Sequence, residues 1–177
     1  MKQLINISAL FISLFISQYA QALPDDLTKP LSIQSDEAYL DQKTGIATYK
    51  GDVLVTQGSI EIQAQFLKVT TDPKTRKFST LVATGSPAKF SQQIDWNGNM
   101  MISRGDHINY EVINSKLEIT GHGYLTKMDD KITADYILYN IETETFSAQK
   151  KGSGRVSMTL QPEEQKSDAK TKKGAEK

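Results

Sequence analysis

Apolar and polar residues alternate along most of this chain, and the alternation is clearest in its first half. Val53 and Val55 share one face of a predicted strand, and Ile60 and Ile62 share one face of the next. Gln57-Gly58-Ser59 separates the two runs and is typical of a tight turn. Alternation with a period of two indicates a β-sheet that has one apolar face.

The apolar face changes register after Ala64. Leu67 and Val69 occupy the inward positions beyond this point, although strict alternation would place Phe66 and Lys68 there. One extra residue restores the pattern, so the sequence predicts a β-bulge near Gln65.

The second half of the chain repeats the first at an offset of 70 residues. Gly51 matches Gly121, and Asp36 matches Asp106, with inward positions of similar character between them. A repeat of this kind indicates stacked units of two strands each. A single unit cannot bury its apolar face alone, so neighbouring units must cover one another.

The fold class predicted from this pattern is all-β. Apolar residues do not recur with a helical period in the chain that follows residue 22. About fifteen short antiparallel strands fit the length. Because only one face is apolar, the sheet must roll or pair until its apolar faces meet, giving an elongated body.

The beginning of the chain has the features of a secretory signal peptide, predicted for residues 1–22. An apolar run extends from Leu4 to Ile16, and Ala20-Gln21-Ala22 is a small-x-small cleavage sequence. The run is shorter than the roughly 20 residues of a membrane-spanning helix. We therefore expect an exported chain.

The exported part divides into a β-domain at residues 23–160 and a tail at residues 161–177. The tail alternates lysines with acidic residues and lacks large apolar side chains, which predicts disorder. The whole sequence has 21 basic and 21 acidic residues and no cysteine. This balance gives no electrostatic reason to bind nucleic acid, and the domain has no disulfide to stabilise it.

The sequence does not predict an enzyme. His107 and His122 alternate with apolar or glycine positions and read as solvent-facing, and no cluster has the spacing of a metal site. The chain also lacks a Gly-x-Ser-x-Gly nucleophile motif. Asp36, Asp106 and Asp135 recur with the repeat, and we interpret them as structural turn residues. We predict neither a cofactor nor a metal.

The inward apolar positions form a continuous stripe that has two interpretations. It is either an ordinary β-core or a groove that binds an apolar ligand, and the pattern alone does not decide between them. The candidate groove residues are Leu31, Ile33, Leu40, Tyr49, Phe90, Ile108, Tyr110, Val112, Ile119 and Leu125.

Two long segments stand out by their sequence: the run from Gln34 to Asp41 (QSDEAYLD) and the run from Tyr49 to Ala64 (YKGDVLVTQGSIEIQA). Both resemble the OstA-like domain family of lipopolysaccharide export proteins. The segments at residues 85–90, 107–111 and 117–121 follow in the family's order. The resemblance extends over residues 30–160.

This resemblance implies a twisted, slightly open β-jellyroll in the periplasm. It implies a bridge that carries lipopolysaccharide from the inner to the outer membrane through an apolar groove. The implied partners are lipopolysaccharide through its lipid A, further copies of the chain joined head to tail, inner-membrane LptC and outer-membrane LptD. The alternative is a structural β-solenoid or adhesin with a filled core and no lipid ligand.

Head-to-tail assembly requires an unpaired strand edge at each end of the body. We expect these edges at Leu31, Ser32 and Ile33 and at Val156, Met158 and Leu160. Basic residues at the mouth of a groove would favour lipid A phosphates, and the candidates are Lys50, Lys89, Arg104 and Lys127.

Overall fold

The computed structural model describes residues 26–151 and 154–161. The predicted signal peptide lies outside these residues, and so does the predicted tail apart from its first residue. Within the described ranges, no helix is both long enough and apolar enough to cross a membrane.

The described residues form one antiparallel β-sheet, preceded by a 3₁₀ turn, and contain no α-helix. The all-β prediction is therefore confirmed. The turn is Asp26–Thr28, and the strands are β1 (Ser32–Gln34), β2 (Glu37–Asp41), β3 (Ile46–Gln57), β4 (Ile60–Thr71), β5 (Phe78–Gln93), β6 (Met100–Glu111), β7 (Lys116–Lys127), β8 (Asp130–Asn140), β9 (Thr145–Gln149) and β10 (Ser157–Thr159).

The predicted count of about fifteen short strands is not confirmed, because the described residues form ten strands. Strands β3 to β8 each contain between 11 and 16 residues. Each pair of long strands contains a register shift, and strand pairing continues on both sides of it. One long strand therefore takes the place of two predicted short ones. Counting the two halves of each long strand separately gives a number close to the prediction.

Consecutive long strands pair as a meander, and the sheet order is β1-β3-β4-β5-β6-β7-β8-β10. β1 and β2 both pair with β3, β1 along its second half and β2 along its first half. At the other end, β10 pairs with the first half of β8 and β9 pairs with its second half. Each end of the sheet is therefore formed by two short strands.

A row of bulges crosses the middle of the sheet. Gly51-Asp52 lies opposite Gln65 in the β3–β4 pair, and Gly121-His122 lies opposite Asp135 in the β7–β8 pair. The three strand pairs between them have register shifts at the same level. The irregularity predicted near Gln65 is present, but in the β3–β4 pair the extra residue belongs to β3.

The two glycines of the 70-residue repeat have the same backbone conformation. φ is +74° at Gly51 and +75° at Gly121, in the left-handed region that favours glycine. A Cβ atom at Gly51 would collide with the Asp36 carboxylate, and one at Gly121 would collide with that of Asp106. The repeated Asp–Gly pair therefore builds two equivalent bulges.

The sheet folds along this bulge row, which we call the crease, into two layers whose apolar faces meet. The bulge row divides each of the long strands β3 to β8 into two halves. The first layer consists of β1, β10 and the halves on their side of the crease, and the second layer consists of β2, β9 and the remaining halves. Phe90 of the first layer contacts Tyr110 of the second, with 5.4 Å between ring centroids. One cluster of buried residues from both layers forms the core. The side opposite the crease, where the hairpin turns of the two layers approach, is called the mouth.

Candidate functional site

The middle of the interior is closed by its own side chains. Five of the predicted groove residues lie here and are at most 4% exposed. They are Phe90, Ile108, Tyr110, Ile119 and Leu125. In this region the apolar stripe therefore packs as a core.

The interior is open at both ends of the body. Leu40 pairs with buried Ala47 and so shares its inward face, yet Leu40 is 61% exposed because β2 is an edge strand. At the other end, Phe146 and Met158 pair with the buried Tyr139 and Ile132 and remain exposed.

The remaining predicted groove residues lie toward the N-terminal end and the mouth. Leu31, Ile33, Tyr49 and Val112 are partly buried and pack against the core cluster. The predicted groove omitted the inward residues of β9, Phe146 and Ala148, and it assigned Met158 of β10 to an assembly edge only. Alternation in Thr145–Gln149 was the available signal for Phe146 and Ala148.

A cleft of about 750 Å³ opens at the mouth near the N-terminal end. It brings two predicted groove residues, Leu31 and Val112, to one surface. The apolar part of its lining consists of Leu27, Pro30, Leu31, Phe78, Val112 and Ile113. Leu27 and Ile113 are 49% and 67% exposed, so this lining is accessible to an apolar ligand.

The wall of the cleft on the first layer is the segment that includes the 3₁₀ turn, and Asp26 anchors it. The Asp26 carboxylate is only 3% exposed and accepts hydrogen bonds from the Ser59 amide (2.6 Å) and hydroxyl (2.8 Å). It also accepts one from Gln92 Nε2 at 2.9 Å.

Burial and the nearby Asp26 charge raise the pKa of Tyr110 to about 12, so the phenol stays neutral.

The opposite wall includes the turn between β4 and β5. Asp72 Oδ1 accepts hydrogen bonds from the backbone amides of Lys74 (2.8 Å) and Thr75 (2.7 Å). These two bonds, led by the one from Thr75, hold the pKa of the Asp72 carboxyl below its usual value. The ordered turn presents Arg76 and Lys77 to the cleft.

None of the four predicted mouth cations lines this cleft. Lys50 and Lys89 are exposed and alternate with inward residues, which places them on the outer face. Arg104 also points outward, with its guanidinium 4.3 Å from the centre of the Tyr124 ring. Lys127 lies at the far end of the mouth, where it pairs with Glu144 across the two layers at 2.8 Å.

Three other cations line the cleft instead: Lys29, Arg76 and Lys77. Sequence reasoning missed them because it searched near the apolar strands, whereas these residues lie in connecting segments. Only folding along the crease brings the N-terminal segment close to the β4–β5 turn.

The predicted assembly edges lie at the two ends of the sheet. Ser32 and Ile33 belong to β1, and Met158 belongs to β10. Leu31 precedes β1, whereas Val156 and Leu160 flank β10. The structure adds β2 and β9 to these edges, because each is paired with a single neighbour.

The titratable side chains of the crease form one notable pair. His122 Nδ1 lies 3.0 Å from Asp106 Oδ2; the His122 side chain is largely solvent-exposed and the Asp106 side chain is partly exposed. Asp135 accepts a hydrogen bond from the Lys151 amide at 2.9 Å, which ties the segment after β9 to β8. Among the described residues, no cluster of His, Cys, Asp or Glu is suited to hold a metal ion.

Comparison with known proteins was made at the level of family, sequence and structure. Residues 32–145 match the family model described as LptA/(LptD N-terminal domain) LPS transport protein. The lipopolysaccharide export system protein LptA of Haemophilus influenzae is 33% identical over 163 residues, covering 90% of this chain and 94% of that protein. LptA of Escherichia coli K12 is 32% identical over 143 residues, covering 81% and 77% of the two chains.

The structural comparison finds a solved relative of the LptA proteins. The crystal structure of LptH from Pseudomonas aeruginosa is described as the LptA-homologous periplasmic component of the conserved lipopolysaccharide transport device. It superposes with a TM-score of 0.72 at 25% identity, covering 78% of this chain and all of that one.

Proposed function

Since the chain belongs to the family of lipopolysaccharide transport proteins that contains LptA and the N-terminal domain of LptD, we propose that it carries lipopolysaccharide between the inner and outer membranes. The observation that carries this proposal is the mouth cleft, whose apolar lining adjoins the interior between the two layers. The periplasmic location described for the Pseudomonas relative supports the same compartment for this chain.

The physical need for such a carrier follows from the acyl chains. Each CH₂ group moved into water costs about 0.8 kcal/mol, so a twelve-carbon chain costs about 9 kcal/mol. An apolar passage between two β-layers removes most of this barrier. The role needs binding and release but no covalent change, and we propose no enzymatic activity.

In the proposed passage the acyl chains enter at the mouth cleft and lie between the layers. The closed middle means that a lipid must displace core side chains as it advances. The layers are continuous along the crease, whereas at the mouth they meet through side-chain contacts such as Lys127–Glu144. Separation about the crease therefore breaks side-chain contacts while it preserves strand pairing.

The open ends support a head-to-tail assembly. β1 and β2 form one end and β9 and β10 form the other, each with unpaired edges and exposed inward apolar side chains. Pairing unlike ends is a heterologous contact that extends into a filament. LptC and LptD domains of the same fold would dock on the terminal copies by the same strand addition.

Direct binding of purified lipopolysaccharide to the mature chain, residues 23–177, tests the proposal. The single tryptophan, Trp96, lies in the β5–β6 turn and is 59% exposed, so its fluorescence reports events near the mouth. We expect saturable binding. A control protein with a sealed β-core sets the background of non-specific binding. If the mature chain binds no more lipopolysaccharide than this control, the structural β-solenoid is favoured instead.

A further inference from the structure

Three exposed cations line the mouth cleft beside its apolar surface. Lys29 belongs to the N-terminal wall, and Arg76 and Lys77 belong to the turn on the opposite wall. None of the three forms an ion pair with a carboxylate of the described residues. Like charges gathered around a cleft raise its positive potential, so an anion placed among them is favoured.

One carboxylate, that of Asp72, also lines the cleft. Its Oδ1 atom already accepts two backbone hydrogen bonds, and its lowered pKa keeps it ionised at neutral pH. Three cations against this one anion leave the cleft lining with a net positive charge.

The cleft thus combines two chemistries on one surface. Its apolar side chains suit a hydrocarbon chain, and its cations suit a multivalent anion. A phosphorylated amphiphile presents both groups, joined at its interface. A free anion would leave the apolar side chains in water, and an uncharged lipid would leave the cations without partners.

We propose that Lys29, Arg76 and Lys77 bind the phosphorylated head group of lipid A while its acyl chains lie on the apolar side of the cleft. This inference rests on the proposed function and specifies which part of lipopolysaccharide the mouth recognises. The guanidinium of Arg76 can bind two phosphate oxygens at once, whereas the two lysines act as point charges. Head-group recognition at this position would orient the molecule with its acyl chains toward the interior.

The test compares two forms of lipid A, one with both phosphates and one with the phosphates removed, binding to the mature chain. The test variant is Lys29→Gln/Arg76→Gln/Lys77→Gln. The control variant is Lys43→Gln/Lys68→Gln/Lys74→Gln, which removes the same charge from exposed lysines that do not line the cleft. Lys74 is a close control because it belongs to the same turn.

We expect the test variant to lose roughly tenfold to hundredfold affinity for phosphorylated lipid A, as three partly exposed charge contacts imply. Its affinity for the dephosphorylated form should equal that of the original chain, which also shows that it is folded. The control variant should bind both forms normally. Added salt should weaken the binding of phosphorylated lipid A and leave the binding of the dephosphorylated form unchanged. This salt effect should be larger for the original chain than for the test variant, which lacks the three cations.

Two results overturn the inference in different ways. Equal binding of both lipid forms by the original chain, with no loss in the test variant, would refute head-group recognition and leave lipid carriage intact. Equal losses in the test and control variants would show non-specific charge attraction. Failure of the original chain to bind either form would contradict the proposed function itself.

Discussion

Single residues determine where each layer ends and the next begins. At Gly51 in β3 and Gly121 in β7, a positive φ and a closely packed aspartate coincide, and these two strands bend there. The sequence identified these positions as repeated, because a glycine that recurs at an offset of 70 with a matched aspartate is visible without coordinates, but it predicted a bulge only near Gln65 and not at the glycines themselves. It did not predict the Asp26 anchor, whose partners lie 33 and 66 residues away.

We expect Gly121→Ala to destabilise the domain by about 2 kcal/mol or more. The left-handed backbone alone costs about 1–2 kcal/mol for an L-residue, and the new Cβ atom also meets the Asp106 side chain. Urea unfolding followed by circular dichroism measures the change. Gly98→Ala is the matched control, since φ is +85° there but no atom lies within 4 Å of the added Cβ. A smaller loss for Gly121→Ala than for Gly98→Ala would contradict the packing of Asp106.

Three partly exposed aspartates should make the stability of the protein fall in acid. Backbone amides hydrogen-bonded to Asp41 and Asp72, and the Asn99 side chain bonded to Asp95, hold the pKa of each carboxyl below its ordinary value of 3.8. A carboxyl with a lowered folded-state pKa stabilises the protein fully above its ordinary pKa. The contribution is lost as the pH falls through the pKa of the folded state.

Comparison of urea midpoints at pH 7 and pH 3 tests this expectation. The triple variant with Asp→Asn at positions 41, 72 and 95 keeps a side-chain oxygen acceptor but no titratable group. Its midpoint should fall less between the two pH values than that of the original chain. If the urea midpoint falls equally in the variant and the original chain, the acid sensitivity belongs to other carboxyl groups.

At the scale of elements, alternation predicted the strands and their inward faces but not their lengths. A break in alternation at Ala64 looks the same whether a strand ends or passes through a bulge. Strand pairing on both neighbours decides between these outcomes, and it is a long-range property. The same limit explains why β2 and β9 were not recognised as edges. Their exposure depends on which strands lie beyond them.

Removal of β10 should abolish assembly at one end. We expect the mature chain to form oligomers whose size grows with concentration, and the chain shortened to end at residue 155 to remain a folded monomer. Multi-angle light scattering measures the masses. A chain that ends at residue 161 is the control, because it keeps β10 and loses only the polar tail. Oligomers of unchanged size in the shorter chain would refute this mode of assembly.

For the whole molecule, the sequence left a filled core and a lipid groove as alternatives. The structure has features of each, since the middle is closed while the mouth cleft and both ends are open. A stable water-filled groove of this length would expose many apolar side chains, so closure in the absence of lipid is the favourable state. The proposed carrier is therefore a folded sheet that opens around its cargo.

A photo-cross-linking scan along the interior tests this account most directly. A benzoylphenylalanine residue is placed at one inward position in each part of the passage, with the adjacent outward residue as its control. The inward and outward pairs are Leu40 and Tyr39, Phe90 and Lys89, and Met158 and Ser157. Illumination with lipopolysaccharide should label all three inward positions and none of the outward ones. Labelling at only one or two of the inward positions, or equal labelling of the two faces, would contradict a continuous passage between the layers.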